Sequence, residues 1–208
     1  MRIGIVPISA KPYHVGHHSL VKTAAGENDQ VLLFVSTSDR RRKGEVPISG
    51  SDMQRIWTEE IEKVLPKNVM VAYGGSPVQK VYSVLESAEE TIQQNDSLDD
   101  IYTVYSDPED TALNYPAKNR EKYFPNAYRS GNILFAAEEN PGSFTRGVGT
   151  PDVSGTAVRS SLGQCDYSTF SASLPDGVDK EKIYNILCPS AGTNEALVRQ
   201  YVNCILKG

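Results

Sequence analysis

Apolar positions along the chain follow two periods in turn. Near the start, Ile3, Ile5, Val6 and Ile8 form a short run that reads as a buried strand. Ser9, Ala10, Lys11 and Pro12 make a turn. Leu20, Val21, Ala24 and Ala25 then recur at helical spacing up to Gly26. The alternation continues. Residues 30–36 read as a second strand, β-branched and aromatic enough to be buried on both faces of a parallel sheet. A helix is expected from Gly50, with Met53, Ile56, Trp57, Ile61, Val64 and Leu65 on its apolar face and Pro66 as its stop. Strands are expected at 69–73, 101–105 and 133–136, and between the first two of these a helix opens at Ser76-Pro77.

Two segments break the pattern. Residues 107–132 are polar, carry Pro108, Pro116 and Pro125, and read as an insertion with a short helix near 118–124. Residues 138–153 are rich in glycine and proline and read as a loop. Beyond them the signals are helical, at 155–163, 167–174, 178–187 and 193–206. Strands alternating with helices imply an α/β fold: a Rossmann-like doubly wound parallel sheet of about five strands, with a C-terminal helical cap. The expected division is an α/β domain over 1–163 and a helical subdomain over 164–208. In such a sheet a ligand lies beyond the carboxyl ends of the strands, so the residues just after each strand are the candidates for chemistry.

Composition narrows the classes. The 208 residues are 39% apolar and 23% charged, which allows a packed core and argues against disorder. A net charge of -5 argues against a general nucleic-acid binder. No run has the length of a membrane span, and no cationic leader precedes the first strand. Cys165, Cys188 and Cys204 are odd in number and widely spaced, so neither a disulfide framework nor a zinc site is expected and a reducing cytoplasm fits.

The richest stretch follows the first strand. Lys11, His14, Gly16 and His17 stand where a strand feeds a helix, and there free backbone N–H groups and the helix dipole favour an anion such as a nucleotide's phosphates. Gly16 allows close approach of the backbone, and imidazoles at 14 and 17 can donate to phosphate oxygens. The plainer alternative is that His14 caps a turn and His17 is an ordinary surface residue. His14, His17 and His18 cluster in sequence, but no neighbouring carboxylate or cysteine completes a zinc shell, so no metal is assigned to protein side chains. A second segment, Val153-Ser-Gly-Thr-Ala-Val-Arg159, starts a helix capped by Ser154 and offers Thr156 and Arg159 as phosphate donors. Alone it reads equally as a plain capped helix with a solvated arginine.

The pair H-x-G-H and S-G-T-x-x-R, in that order on strand–helix junctions, resembles the nucleotidyltransferase superfamily of adenylyl- and cytidylyltransferases. In form it is nearest to the nicotinamide-mononucleotide adenylyltransferases. The resemblance implies transfer of a nucleotidyl group from a nucleoside triphosphate, ATP first, to a phosphate-bearing small molecule, with release of pyrophosphate and Mg²⁺ carried with the nucleotide. It implies that His14, His17, Lys11 and Arg159 act at the triphosphate. Pro7, Ile8, Ser9, Gly16, Ser154, Gly155 and Thr156 would then bind the nucleotide. Ser9, Ala10 and Lys11 replace the glycine, aromatic and acidic or amide residues common in that loop of the family.

Further candidates for the acceptor substrate are Arg40 and Arg41 in a charge run after the second strand, Trp57, and Asp107 after the fourth strand. Each has a plainer alternative: a solvated run for the arginines, core packing for Trp57. Other functions stay open. Val35-Ser-Thr-Ser-Asp39 faintly resembles cytidylyltransferases, which keeps CTP in view. A nucleotide-binding module without turnover is another reading. A class I aminoacyl-tRNA synthetase is set aside for want of a K-M-S-K-S-like segment. Homo-oligomerisation is left open.

Overall fold

The computed structural model describes residues 1–95 and 97–188, so the expected helix at 193–206 and Cys204 lie outside the described residues. Among the described residues the strands are β1 (Arg2–Ile8), β2 (Gln30–Val35), β3 (Val69–Tyr73), β4 (Ile101–Val104) and β5 (Ile133–Phe135). They form a single parallel sheet in the order β3-β2-β1-β4-β5. The fold is α/β, an open Rossmann-like doubly wound sheet flanked by helices. The order reverses at β1, between β2 on one side and β4 on the other, which makes the carboxyl ends of β1 and β4 the topological switch point.

Two compact units divide the chain. The first comprises Met1–Ser9, Gly16–Ser36 and Leu65–Asp152 and contains the sheet. Its helices are most of α1 (Val15–Glu27), α3 (Pro77–Asn95), α4 (Pro108–Asn114), α5 (Ala117–Tyr123), α6 (Pro125–Arg129), α7 (Ala136–Glu139) and α8 (Pro141–Phe144). One core gathers Ile5, Phe34, Val104 and Phe135 from four strands with Val81 and Leu85 of α3. The two α3 residues are four apart and so share a helix face.

Residues 107–132 do more than the expected insertion. They fold into α4, α5 and α6 and bury Tyr115, Phe124 and Ala127 in that same core. The short helix expected near 118–124 is α5, while α4 and α6 have single apolar residues spaced among polar ones and no period long enough to announce them. The expected loop at 138–153 likewise begins with the end of α7 and all of α8. Buried charges hold these short elements. Arg120 donates to the Tyr115 carbonyl at 2.6 Å and to both Glu138 oxygens at 2.6 Å, and it stacks 3.8 Å from the centre of the Phe135 ring. Glu89 of α3 is buried and accepts from the Ala127 N–H at 2.8 Å and from Asn126 at 2.6 Å.

Gly4 of β1 sits against a polar knot. A Cβ there would lie 3.0 Å from Asn28 Nδ2, which donates to the Ala24 carbonyl and to Tyr105 Oη. Tyr105 Oη in turn donates to Glu27 at 2.7 Å. Burial pushes the Tyr105 phenol well above its ordinary pKa, with the Glu27 carboxylate adding to the shift, so the hydroxyl stays a donor.

The second unit comprises Ala10–Val15, Thr37–Val64 and the described residues from Val153 on. Its helices are α2 (Gly50–Ile56), α9 (Gly155–Gly163), α10 (Tyr167–Ala172) and α11 (Lys180–Leu187). The helix expected from Gly50 to Pro66 is regular only through Ile56. It widens into a π turn at Trp57–Ile61 and tightens into a 3-10 turn at Glu62–Val64. The π turn carries Glu60, which is buried and accepts from Lys182 at 2.5 Å and from the Asp179 N–H at 3.2 Å. Trp57 is fully buried and meets the Tyr13 ring edge-on at 4.7 Å. Cys165 is disulfide-bonded, although the odd number and wide spacing of the cysteines led to no expectation of a disulfide framework. Among the described residues no helix is long and apolar enough to cross a membrane.

Gly50 opens α2 against backbone. A Cβ at that position would fall 1.7 Å from the Thr37 carbonyl oxygen, an overlap that no side-chain rotation relieves. Gly50→Ala is expected to cost about 1–3 kcal/mol or more. Urea unfolding should show the lowered midpoint, and an unchanged midpoint would refute the contact.

Candidate anion-binding site

The loop leaving β1 enters the second unit at once. Ile8 is buried, Pro7 is half-buried and Ser9 is exposed at the strand's carboxyl end. Ala10 then takes a left-handed backbone, φ 47, which costs a residue with a Cβ about 1–2 kcal/mol. The Lys11–Pro12 peptide is cis. Lys11 and His14 follow, each only 5% exposed.

Arg159 is the centre of the second unit's charge cluster. It lies on the second turn of α9, is 5% exposed, and has bonds from every nitrogen of its guanidinium. Nη1 donates to the Lys11 carbonyl at 2.7 Å, Nη2 to Thr156 Oγ1 at 2.9 Å, and Nε to Glu45 Oε2 at 2.9 Å. Residues 11 and 159, 148 apart in sequence, are thus in direct contact. A glycine makes this possible. A Cβ at Gly155 would come within 2.9 Å of Nη1, so the absence of a side chain there leaves room for the guanidinium to reach Lys11. Ser154 caps α9 as expected and accepts from the Ala157 N–H at 3.1 Å.

Glu45 is the residue that the sequence did not single out. Its carboxylate also accepts from Arg40 Nε at 2.9 Å and Arg40 Nη2 at 3.3 Å, and from Arg159 Nη2 at 3.4 Å. Two guanidinium edges therefore share one carboxylate. Hydrogen bonds from Arg40, then from Arg159, pull the Glu45 pKa down to about 2. Lys11 Nζ donates to Ser38 Oγ at 3.1 Å. Burial pushes its ammonium below the ordinary value, partly offset by Asp39 and reinforced by Arg40. Burial also lowers Arg159, with Arg40 and Arg42 adding to the effect and Glu45 opposing it. Arg40 and Arg159 thus share the one Glu45 carboxylate, with positive charge in excess at that contact, while the Lys11 ammonium bonds Ser38 and is influenced by Asp39.

The other candidates are placed differently. Arg41 is exposed and pairs with Asp39 at 2.9 Å, while Asp39 also accepts from the Gly50 N–H at 3.0 Å. Asp107 caps α4 through the Asp110 N–H at 2.8 Å, a role any helix start after a strand could use. Trp57 takes the core-packing alternative. Gly16, His17 and His18 lie half-buried in the first turn of α1 and belong to the first unit. The expected free N–H groups at the start of α1 number one fewer, because Val15 N–H donates to the Ser173 carbonyl at 2.9 Å. Among the described residues no three His, Cys, Asp or Glu side chains group as a metal site.

Two outcomes test this arrangement. Gly155→Ala should force Nη1 off the Lys11 carbonyl and cost about 1–3 kcal/mol of stability, the range for a buried, charged hydrogen bond. Chemical denaturation reads it, and wild-type stability would contradict the packing. A depressed carboxylate stabilises the fold above its ordinary value of 4.5 and loses that contribution as pH falls toward about 2. The Glu45→Gln protein should therefore show a shallower loss of stability than wild type between those two values, measured by urea unfolding across pH.

No protein-family model matches the chain, and no curated protein matches it either.

Proposed function

We propose that the protein is a nucleotidyltransferase. It moves a nucleotidyl group from a nucleoside triphosphate, ATP in first place, to a phosphate-bearing small molecule and releases pyrophosphate. The observation that carries this reading is the bond from Arg159 to the Lys11 carbonyl, which joins the two segments expected to bind phosphate. Support also comes from the sheet, whose switch point at β1 is where an α/β fold binds nucleotides.

In the proposed step an acceptor phosphate oxygen attacks the α-phosphorus. That O–P bond forms as the bond to the bridging oxygen breaks, and pyrophosphate leaves with the electron pair. His14 and His17 donate to the triphosphate and stabilise charge at the reacting phosphorus. Lys11 offsets phosphate charge. Thr156, Arg159 and the N–H groups of the α9 start hold the β- and γ-phosphates as they become the leaving group. Magnesium enters as part of the nucleotide substrate, with phosphate oxygens and water among its ligands. Catalysis is then by positioning and electrostatic stabilisation, without a covalent enzyme intermediate.

The test is pyrophosphate release from ATP, CTP, GTP and UTP with a panel of phosphorylated acceptors. Turnover is expected with ATP, and His17→Ala should lower it by about 10²–10³-fold with the fold retained. Preference for CTP would move the assignment to the cytidylyltransferases. Tight binding of a non-hydrolysable triphosphate with no release from any pair would make the chain a nucleotide-binding module instead.

A further inference from the structure

The inference deepens the transferase reading and rests on it. Arg159 can serve a polyphosphate only if its N–H groups become available, yet its guanidinium is already bonded to Glu45, Thr156 and the Lys11 carbonyl. Arg40 presents the same Nε–Nη2 edge to the same Glu45 carboxylate. A planar oxyanion gripped by two guanidinium edges is the contact that a phosphate would make with the same pair.

The partners are not held alike. Arg159 is anchored on α9 with its side chain 6% exposed. The backbone of Arg40 is tied in both directions to Ile48, at 2.8 and 3.0 Å. Glu45 stands on the turn between those two residues. Arg41, Arg42, Lys43 and Gly44 before it are all exposed, and Gly44 has φ 83. The Glu45 N–H donates to the Arg42 carbonyl, a bond within the turn itself. Val46 and Ile48, 3% and 1% exposed, anchor the far side of the turn, so the carboxylate can depart with residues 41–45 while both arginines stay in position. Arg40 and Arg159 outnumber the single Glu45 charge between them, so a more highly charged chain of phosphates gains by taking its place.

We propose that the Glu45 carboxylate is a displaceable stand-in for phosphate: it holds Arg40 and Arg159 aligned in the ligand-free protein, and a polyphosphate chain replaces it as the 41–45 turn moves out. Glu45 is then a positioning residue that sets the affinity and selectivity of the site. A weakly charged anion does not displace it, and a triphosphate does.

Titration calorimetry of the full chain with inorganic tripolyphosphate tests this. Glu45→Gln removes the competing charge and should bind tripolyphosphate about tenfold tighter than wild type, the order of effect for one charged hydrogen bond. Glu45→Asp, which keeps the charge, should return affinity toward wild type. In the wild-type protein, tripolyphosphate should increase amide hydrogen exchange across 41–45. That measurement stands even where a variant fails to fold. Equal or weaker binding by a folded Glu45→Gln protein, no binding by either protein, or binding without any change across 41–45 overturns the proposal. Displacement of Glu45 with no pyrophosphate release from any nucleotide would keep the exchange and remove the transferase reading. Turnover of ATP with affinity indifferent to Glu45 would do the reverse.

Discussion

A guanidinium taken out of water must be met by acceptors on nearly every N–H, or the fold loses several kcal/mol. Arg159 states that constraint for the second unit. Its acceptors come from three places in the chain, the loop after β1, the turn after β2 and Thr156 of its own helix, while Gly155 leaves it room. Satisfying one buried cation thus fixes the path of segments that share no local signal. The left-handed Ala10 and the backbone contact at Gly50 are further features of the same loops.

The first unit solves a different problem. A parallel sheet buried on both faces needs apolar cover, and α3 alone does not supply it. Tyr115, Phe124 and Ala127 complete the core from α4 to α6, while Arg120 and Glu89, both buried, anchor these short helices through charged hydrogen bonds. Polar composition in this stretch reflects residues that face solvent and residues that cap, with a few apolar side chains carrying the packing. The carboxyl end of β1 then delivers the chain directly into Lys11 and His14 of the second unit, so the scaffold and the charged loop are continuous in sequence.

Much of the architecture was legible because local periodicity reports burial directly. Strands with continuous apolar runs, such as 30–35 and 69–73, and a nineteen-residue helix with one apolar face announce themselves within a window of a few residues. Ser154 was legible as a cap for the same reason, since its partner is three residues away. Segments built from single buried residues, such as α4, α6 and 138–153, had no such window, although α5 falls on the short helix expected near 118–124. The π turn at Trp57–Ile61 was also hidden, because it preserves an apolar face while changing the hydrogen-bond step.

By itself the sequence determined the α/β class, the alternation of elements, the order of the charged motifs and the residue types available for phosphate chemistry. These follow from interactions between residues a few positions apart. Only the tertiary structure decided which charges meet. That Arg159 reaches across to Lys11, that Arg40 and Arg159 share Glu45, and that Trp57 packs on Tyr13 depend on contacts between distant segments. The physical reason is that ion pairing and desolvation act through space, and a polar loop carries no period that says which of its charges will be buried and beside what.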